Sequence, residues 1–309
     1  MSLKSFSIKL LAFAILLLAS DRIAGLGLKS LYARAGDKFE RENYMRHEMV
    51  ADCIIMGSSK AAHHYKPSVI CDSLDMTVYN CGQRGNGVVY AYGRLATIYQ
   101  RYTPKVIILD VIKDYDLDVN DNVRFLDFLK PDYGHNSTVD SLFYDLDSGN
   151  KYKMLLYSYQ YNSTICDLLI NTLFTRRARF GKDGYFPLVG AKSDFVPLAI
   201  DNFERIDESI VTDSVKVSYL ERIAQEHRPG CLLVYTISPT YRHVDIKAYK
   251  AVRDICSRYH IPLLDYENDD RFLGQYDLYY DGSHLNDKGA ELYSSIVACD
   301  IKTLIREKE

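Results

Sequence analysis

The chain has 309 residues, enough for one large domain or two small ones with a sizeable core. Hydrophobic residues make up 47% of it and charged residues 26%, which excludes wholesale disorder and collagen-like or low-complexity structure. The formal net charge of -3 gives no support for a nucleic-acid partner, and none of the 7 cysteines forms a Cys-x-x-Cys pair typical of a zinc ribbon or a thioredoxin-like site.

The N-terminus has the pattern of a membrane anchor. The run Leu10–Ser20 carries no charge and follows Lys4 and Lys9, the order typical of an export signal or a signal-anchor. No clear cleavage pattern follows the run, so we expect residues 1–34 to form a retained transmembrane helix; a cleaved signal and a buried helix are the alternatives. The lysines predict a cytoplasmic N-terminus, with the rest of the chain on the other side.

Residues 35–50 are polar and predict a stalk, and residues 51–309 predict the main domain. In that domain, short apolar runs alternate with helical stretches. The predicted strands are Asp52–Met56, Thr77–Cys81, Lys105–Leu109, Cys231–Tyr235 and Pro262–Asp265. The predicted helices are Lys66–Leu74, Gly87–Tyr102, Val211–His227, Asp245–Tyr259 and Leu285–Arg306. This alternation predicts a three-layer α/β/α sandwich around a five-stranded parallel sheet.

Between residues 115 and 210 the alternation stops, which predicts an insertion after the third strand. It is rich in tyrosine and aspartate, and helical patches are expected at Val123–Leu129 and Thr138–Phe174. Such an insertion is typical of a cap or lid. Its tyrosines either stack on sugar rings or form an amphipathic core. They include Tyr152, Tyr157, Tyr159 and Tyr161.

Two groups of polar residues lie where a ligand crevice is expected, beyond the carboxyl ends of the strands. Gly57-Ser58-Ser59 follows the first strand, where a turn exposes a hydroxyl and the next helix offers N–H groups to an oxyanion. Asp281 and His284 precede the last helix, and a catalytic triad needs such a histidine base oriented by a carboxylate.

Together with the Gly- and Asn-rich turn at residues 80–87, these blocks resemble the SGNH (GDSL-type) hydrolase superfamily, in its membrane-anchored bacterial envelope form. The resemblance covers residue 52 to the last helix, except for the insertion. It implies a flavodoxin-like SGNH fold and a triad of Ser59, His284 and Asp281. It also implies that the backbone N–H groups of Ser59 and Gly82 bind the oxyanion.

The chain departs from the family pattern at two places. Ser58 stands where most members carry Asp, and it stays an alternative nucleophile. The third block lacks its oxyanion Asn; Lys113 occupies that place, and either Lys113 or Asn86 could substitute for it. We also expect Lys113 and Arg242, which follow the third and fourth strands, to contact substrate.

The resemblance implies a serine esterase acting on O-acyl, above all O-acetyl, esters of envelope or extracellular glycans. The same triad would serve a polysaccharide O-acyltransferase supplied by a membrane acyl-donor protein. A non-catalytic glycan-binding or assembly protein is the third hypothesis. No cofactor or metal is expected, since adjacent side chains such as His63 and His64 diverge on a helix. The expected location is the inner membrane, with one span and a periplasmic catalytic domain.

Overall fold

The computed structural model of the protein describes residues 2–120, 125–174, 180–196 and 212–308. The chain divides into two compact units. The first combines Met1–His47 with Leu126–Ala178, and the second combines Glu48–Phe125 with Arg179–Glu309. The unit boundaries differ from the limits that the sequence predicts for the stalk (35–50) and the insertion (115–210).

Five strands and twelve α-helices are present in the described part of the chain. The strands are β1 Cys53–Gly57, β2 Val78–Asn80, β3 Val106–Asp110, β4 Leu232–Ile237 and β5 Leu263–Asp265. The helices are α1 Leu3–Arg34, α2 Lys38–His47, α3 Ser59–His64, α4 Pro67–Leu74, α5 Val88–Tyr99, α6 Lys113–Asp116, α7 Ser137–Leu146, α8 Asn150–Lys153, α9 Ile165–Leu173, α10 Ser214–Glu226, α11 Lys250–Tyr259 and α12 Asp287–Lys308.

The second unit is built on one parallel sheet with the strand order β2-β1-β3-β4-β5 and with helices on both of its faces. This order is the flavodoxin-like one, so the predicted α/β/α sandwich is confirmed. The central strands β1, β3 and β4 are buried along their whole length, as expected for a parallel sheet covered on both sides. Their register places Ile55 beside Ile108, and Ile108 beside Val234, in the middle of the core.

The helices of the second unit lie close to their predicted positions, with one difference. The stretch predicted as a single helix, Asp245–Tyr259, begins as a 3-10 helix at Ile246–Tyr249 and becomes α-helical only in α11. The Asp245 carboxylate accepts the backbone N–H of Lys247 and so starts this tighter turn. The first residue of the predicted helix Val211–His227 lies outside the described residues.

The first unit contains the helical part of the insertion, and the sequence prediction was too simple there. The predicted patch Thr138–Phe174 divides into α7, α8, a 3-10 helix at Ser158–Thr164, and α9. One interruption is explained by Asp147, whose carboxylate accepts the N–H of Gly149 and forms a turn in place of a helix. In the patch Val123–Leu129, residues 126–129 form turns, and the first two residues lie outside the described part.

A small aromatic core holds the first unit together. Tyr32 at the end of α1 packs edge-to-face against Phe39 of α2 and against Tyr161 of the insertion, with ring centroids 5.1 and 5.8 Å apart. An ion pair between Arg46 and Asp132 adds a 2.6 Å contact. Residues 38–47, predicted as part of a stalk, therefore form a helix with buried side chains.

Among the described residues, α1 is the one helix that is long and apolar enough to cross a membrane. Its large apolar side chains from Leu3 to Leu18 are exposed to the surroundings. Ser2 caps the start of the helix by accepting the N–H of Ser5. The first half of α1 is thus available to a lipid environment, and in its second half Gly25 and Tyr32 are buried within the first unit.

We expect deletion of residues 2–34 to increase the rate at which trypsin cleaves the insertion. The cleavage sites are Lys130, Lys151 and Lys153. The deletion removes Tyr32 from the aromatic core, and losing a buried aromatic side chain costs about 3 kcal/mol, enough to raise cleavage by roughly 10- to 100-fold. Mass spectrometry of timed digests measures this. Deletion of residues 2–20 is the matched control, because it keeps Tyr32; equal cleavage of the two proteins contradicts the prediction.

Candidate active site

The candidate nucleophile lies at the carboxyl end of the central strand β1. Gly57 ends the strand with a φ of +138°, and a Cβ at this position would lie 2.5 Å from the carbonyl oxygen of Asp110 on β3. Only glycine therefore lets the chain turn here. Ser59 begins α3 directly after the turn. The Ser58 hydroxyl is buried and, within the described structure, has no hydrogen-bond partner, which argues against Ser58 as the nucleophile.

His284 lies between Ser59 and Asp281. Its Nε2 is 2.9 Å from the Ser59 hydroxyl oxygen, and its Nδ1 is 3.0 and 3.1 Å from the two carboxylate oxygens of Asp281. With Nδ1 donating to the carboxylate, Nε2 is free to accept the serine proton. The structure thus brings together all three residues of the predicted triad, in the spatial order that nucleophilic catalysis requires.

Asp281 is held as an anion. Burial opposes its ionisation, but the hydrogen bond from the His284 ring, the charge of that ring and the backbone N–H groups of Ser283 and His284 outweigh it and lower the pKa of Asp281 to about 2. Both of these N–H groups lie 2.9 Å from one carboxylate oxygen. The carboxylate is therefore charged and fixed in direction at any pH near neutrality.

The turn after β2 carries the predicted oxyanion donor Gly82. In the structure its backbone N–H donates to the side-chain oxygen of Asn80 at 2.9 Å. The amide nitrogen of Asn80 donates to the carbonyls of Ala61 and Tyr65, which ties this turn to α3. An oxyanion role for Gly82 thus requires its N–H to exchange Asn80 for the substrate oxygen, and it stays a prediction.

The other predicted site residues are engaged elsewhere. Lys113 pairs with Asp118 at 2.6 Å, and its backbone N–H donates to the Tyr249 hydroxyl. The side-chain nitrogen of Asn86 is 3.4 Å from the carbonyl of Arg84, and its side-chain oxygen is buried with no partner among the described residues. Arg242 follows β4 and is partly exposed. None of these positions is shown to contact substrate, and their roles stay predictions.

Two histidines next to the triad have a structural importance that the sequence did not reveal. The ring of His63 lies edge-on to the ring of His284, with centroids 5.4 Å apart, and its Nδ1 is 2.7 Å from the carbonyl of Phe186. His64 accepts the backbone N–H of Leu285 at 3.0 Å. Burial lowers the pKa of His63 to about 4 and that of His64 well below its usual value. Both rings are neutral near pH 7, so neither repels a proton on His284.

The described residues 180–196, which we call the site segment, run along the site within the second unit. Three backbone hydrogen bonds fix the segment: Phe186 N–H to Ala62 at 3.0 Å, Asp287 N–H to Leu188 at 2.7 Å, and Lys192 N–H to Tyr280 at 2.7 Å. They connect the segment to α3, to the start of α12 and to the loop before His284. Within the second unit, the part of the insertion next to the triad is therefore this segment.

The site segment places an aromatic ring beside the triad. Phe186 is partly buried and packs edge-on against His63, with centroids 5.0 Å apart. The guanidinium of Arg84, which is exposed, lies 4.7 Å from the centre of the Phe186 ring. The guanidinium covers one face of the ring, so the pair offers a ligand the exposed nitrogen donors of Arg84 together with the remaining apolar surface of Phe186. No sequence signal marked Phe186, because its place depends on folding of the insertion.

A buried polar network lies beneath the candidate nucleophile. Lys60, the residue after it, donates to the carbonyl of Ser238 at 3.1 Å and lies 4.0 Å from the Glu267 carboxylate. Asp110 accepts hydrogen bonds from the hydroxyls of Tyr65 and Ser238. Burial raises the pKa of Asp110 to about 6, although the Lys60 charge and these hydroxyls act in the opposite direction. The network fixes the start of α3 to the ends of β3 and β4.

No protein-family model and no curated protein matches the chain. Among solved structures, it is similar to a family two carbohydrate esterase from Clostridium thermocellum bound to cellohexaose, with a TM-score of 0.40 and 10% identity over 82% of this chain and 64% of that one. A protein described as lipolytic and of the G-D-S-L family, from Desulfitobacterium hafniense, gives a TM-score of 0.37 and 9% identity over 80% of this chain and 98% of that one.

A gut microbial diltiazem-metabolizing enzyme gives a TM-score of 0.39 and 11% identity, over 82% of this chain and 47% of that one. This chain thus spans less than two thirds of the length of two of the three proteins. At such identities and TM-scores the similarities carry no argument about activity. The functional assignment rests on the side chains of the site itself.

We expect His63 to lower the stability of the folded second unit as the pH falls from about 6.5 to 4, whereas buried Asp110, with its pKa raised to about 6, acts in the opposite direction. In this window the unfolded chain protonates His63 at its ordinary pKa of 6.5, whereas the buried ring has a pKa of about 4 and stays neutral. Unfolding therefore takes up a proton, and the free energy of unfolding falls by about 3 kcal/mol for this residue across the window. His64 acts in the same direction.

Pulse proteolysis in urea, on the detergent-solubilised full chain at several pH values, measures this dependence. His63→Asn should lack this contribution, so on going from pH 6.5 to 4 its free energy of unfolding should fall less, or rise more, than that of the wild type. His260→Asn is the control, because His260 is exposed and has a left-handed φ of 53° that Asn tolerates. The expectation is wrong if His63→Asn and the wild type show the same pH slope.

Proposed function

We propose that the protein is a membrane-anchored serine esterase of the SGNH type that removes O-acyl groups, above all O-acetyl groups, from carbohydrates. The observation that carries this proposal is the unbroken hydrogen-bonded chain from Ser59 through His284 to Asp281. A buried serine hydroxyl without a base is chemically inert, and here the base and its orienting carboxylate are both in place.

In the proposed reaction, the Ser59 oxygen attacks the ester carbonyl carbon while His284 Nε2 takes the hydroxyl proton. Asp281 stabilises the imidazolium that forms. When the tetrahedral intermediate collapses, His284 gives the proton to the leaving sugar oxygen, and the acyl group stays on Ser59. Water, deprotonated by His284, then attacks the acyl carbon; the bond from this carbon to the Ser59 oxygen breaks, His284 returns the proton to that oxygen, and the carboxylic acid leaves.

The neutral state of His63 favours this cycle. Its ring contacts His284 and faces the charges of Arg84 and Asp281, yet burial keeps it uncharged near neutral pH. A second cation at this distance would oppose formation of the imidazolium. We therefore assign His63 as a positioning residue that packs on His284 and holds Phe186 in place through its ring nitrogen.

The proposed carbohydrate substrate is supported by the pair of Phe186 and Arg84. A pyranose ring presents a C–H face that packs on an aromatic ring, and its hydroxyls accept hydrogen bonds from a guanidinium. The pair lies beside His63, next to the triad, so a sugar on Phe186 would carry its ester group toward Ser59.

The proposed location follows from α1. Lys4 and Lys9 lie on its N-terminal side, which favours a cytoplasmic N-terminus and a single span. In an envelope with two membranes, the catalytic unit would then lie in the periplasm, anchored to the inner membrane. Acylated glycans of the envelope are the substrates within reach of an enzyme held there.

We expect a fluorophosphonate probe to label the full chain in detergent on Ser59 and nowhere else among its serines. Ser59→Ala should abolish labelling and lower kcat on an aryl acetate by at least about 10,000-fold, because the nucleophile and the base act as a unit. Ser58→Ala is the matched control: it removes a buried hydroxyl without a partner and should keep both signals.

Three results would separate the hypotheses. Labelling lost in Ser58→Ala and kept in Ser59→Ala contradicts the assignment of the nucleophile. Wild-type protein that neither labels nor hydrolyses esters is the result expected of a non-catalytic binding protein. Labelling with transfer of acetate to an added sugar, and with little free acetate, is the result expected of an acyltransferase.

We expect Phe186→Leu to raise KM for an O-acetylated oligosaccharide by about 2- to 10-fold, which corresponds to an aromatic contact of about 0.5–1.5 kcal/mol. The kcat and the activity on a small aryl acetate should change little, because the backbone carbonyl that holds His63 is retained. Acetate release measures both. Val189→Ala, an exposed change in the same site segment, is the control. Equal losses on the sugar and the aryl ester would contradict the proposed stacking.

A further inference from the structure

Two charged residues interrupt the apolar helix α1, and both are bound by the insertion within the first unit. The Asp21 carboxylate accepts the backbone N–H groups of Tyr157 at 2.6 Å and Ser158 at 3.1 Å, and the Ser158 hydroxyl at 2.5 Å. The Arg22 guanidinium donates to the carbonyl of Leu155 at 3.3 Å and lies 5.6 Å from the centre of the Tyr157 ring. Both charged side chains therefore have hydrogen-bond partners within the first unit.

The contact between the helix and the insertion is also close. A Cβ at Gly25, one turn beyond Asp21, would lie 2.8 Å from the ring of Tyr157. Only glycine allows this approach, so residues 155–158 lie directly on the surface of α1. The contacts of Asp21, Arg22 and Gly25 therefore fix the position of residues 155–158 along the axis of α1; we call this position their level.

The length of the apolar stretch then places this level relative to a bilayer. The charge-free run Leu10–Ser20 measures only about 16 Å along a helix, about half of the 30 Å hydrocarbon layer. Extending it to Leu28, just before Lys29, gives about 28 Å, which is a full span. A full span that leaves out Lys4 and Lys9 thus places Asp21 and Arg22 inside the membrane, where unpaired charges are costly.

The insertion also exposes apolar side chains at this level. Tyr152, Leu155 and Leu156 are 72%, 61% and 45% exposed, and they lie immediately before the residues that bind Asp21. Lys151 and Lys153 flank them and are exposed as well. Tyrosine, leucine and lysine together are typical of segments in the interfacial layer, where lysine reaches the headgroups and leucine enters the acyl chains.

We infer that residues 151–158 are embedded in the bilayer beside α1, in the leaflet next to the first unit, with lipid as their partner. The embedded segment supplies the hydrogen-bond partners of Asp21 and Arg22, so a helix with two charges can span. The inference rests on the proposed membrane anchor and goes beyond it: the anchor consists of a helix and a loop, and the loop fixes the depth of the first unit.

A single tryptophan can test this inference, because the sequence contains none. Leu155→Trp is made in the full chain, which is reconstituted in vesicles of phosphatidylcholine and phosphatidylglycerol. Part of the phosphatidylcholine carries bromine on its acyl chains, either near the headgroup or deep in the bilayer. We expect strong quenching, and because Asp21 lies about 10 Å below the level of Leu28 in this span, deep bromine should quench at least as strongly as bromine near the headgroup. Tyr152→Trp is a second probe should Leu155→Trp fail to fold.

Two reference positions make the outcomes distinguishable. Phe13→Trp lies on the exposed apolar half of α1 and reports the anchor itself. Tyr44→Trp is the matched control in the same unit, since its neighbour Asn43 donates to the carbonyl of Tyr32, about 16 Å beyond Asp21 along α1. We expect several-fold weaker quenching at position 44 than at position 155.

Quenching of Phe13→Trp together with quenching at position 155 no stronger than at position 44 overturns the inference and leaves the anchor standing. No quenching at either 13 or 155 overturns the anchor and the inference together. Blue-shifted emission at position 155 without quenching would show that protein, such as a second copy of the chain, covers this surface, and it overturns the inference as well.

Discussion

The active-site geometry depends on the docking of the last helix, α12, against the two short helices that follow β1. Tyr293 of α12 packs its ring 5.1 Å from that of Tyr65, and Ser294 accepts the backbone N–H of Lys66 at 2.7 Å. His64 accepts the N–H of Leu285, the residue after His284. These contacts keep His284 and Ser59, which are 225 positions apart in the chain, within one hydrogen bond of each other. Loss of the docking would separate the proposed base from the proposed nucleophile without a change in either residue.

The sheet, and the proximity of Ser59, His284 and Asp281, could be predicted from sequence because both depend on short-range patterns. A central strand of a parallel sheet is a run of apolar residues such as Cys53–Met56, followed by a glycine, and this pattern is visible without the fold. Asp281 and His284 lie in one loop and Ser59 follows a strand, so their positions could be read from the chain, while their catalytic role stays a prediction. The carboxyl ends of parallel strands meet at one edge, so residues at those positions converge.

The remaining features depend on long-range contacts, which leave no such pattern. Phe186 is placed by a backbone hydrogen bond to Ala62, 124 positions earlier in the chain, and His63 contacts the carbonyl of the same phenylalanine. A motif identifies Gly82 as an oxyanion donor, but only the folded structure shows that Asn80 already accepts its N–H. In the insertion, the turn at Asp147 outweighs helical propensity, because a carboxylate that accepts a nearby N–H competes with the helix.

The charged residues of α1 also bear on whether the helix is retained. A cleaved export signal is not expected to make contacts within the folded protein. Asp21, however, accepts three hydrogen bonds from the insertion, and Tyr32 lies in the aromatic core. From Asp21 onward, α1 is therefore part of the folded first unit. The preceding residues continue the same helix with exposed leucines, which water would not favour. These contacts support the proposal that α1 is retained, with its exposed N-terminal half in lipid and Asp21 and Tyr32 bound within the first unit.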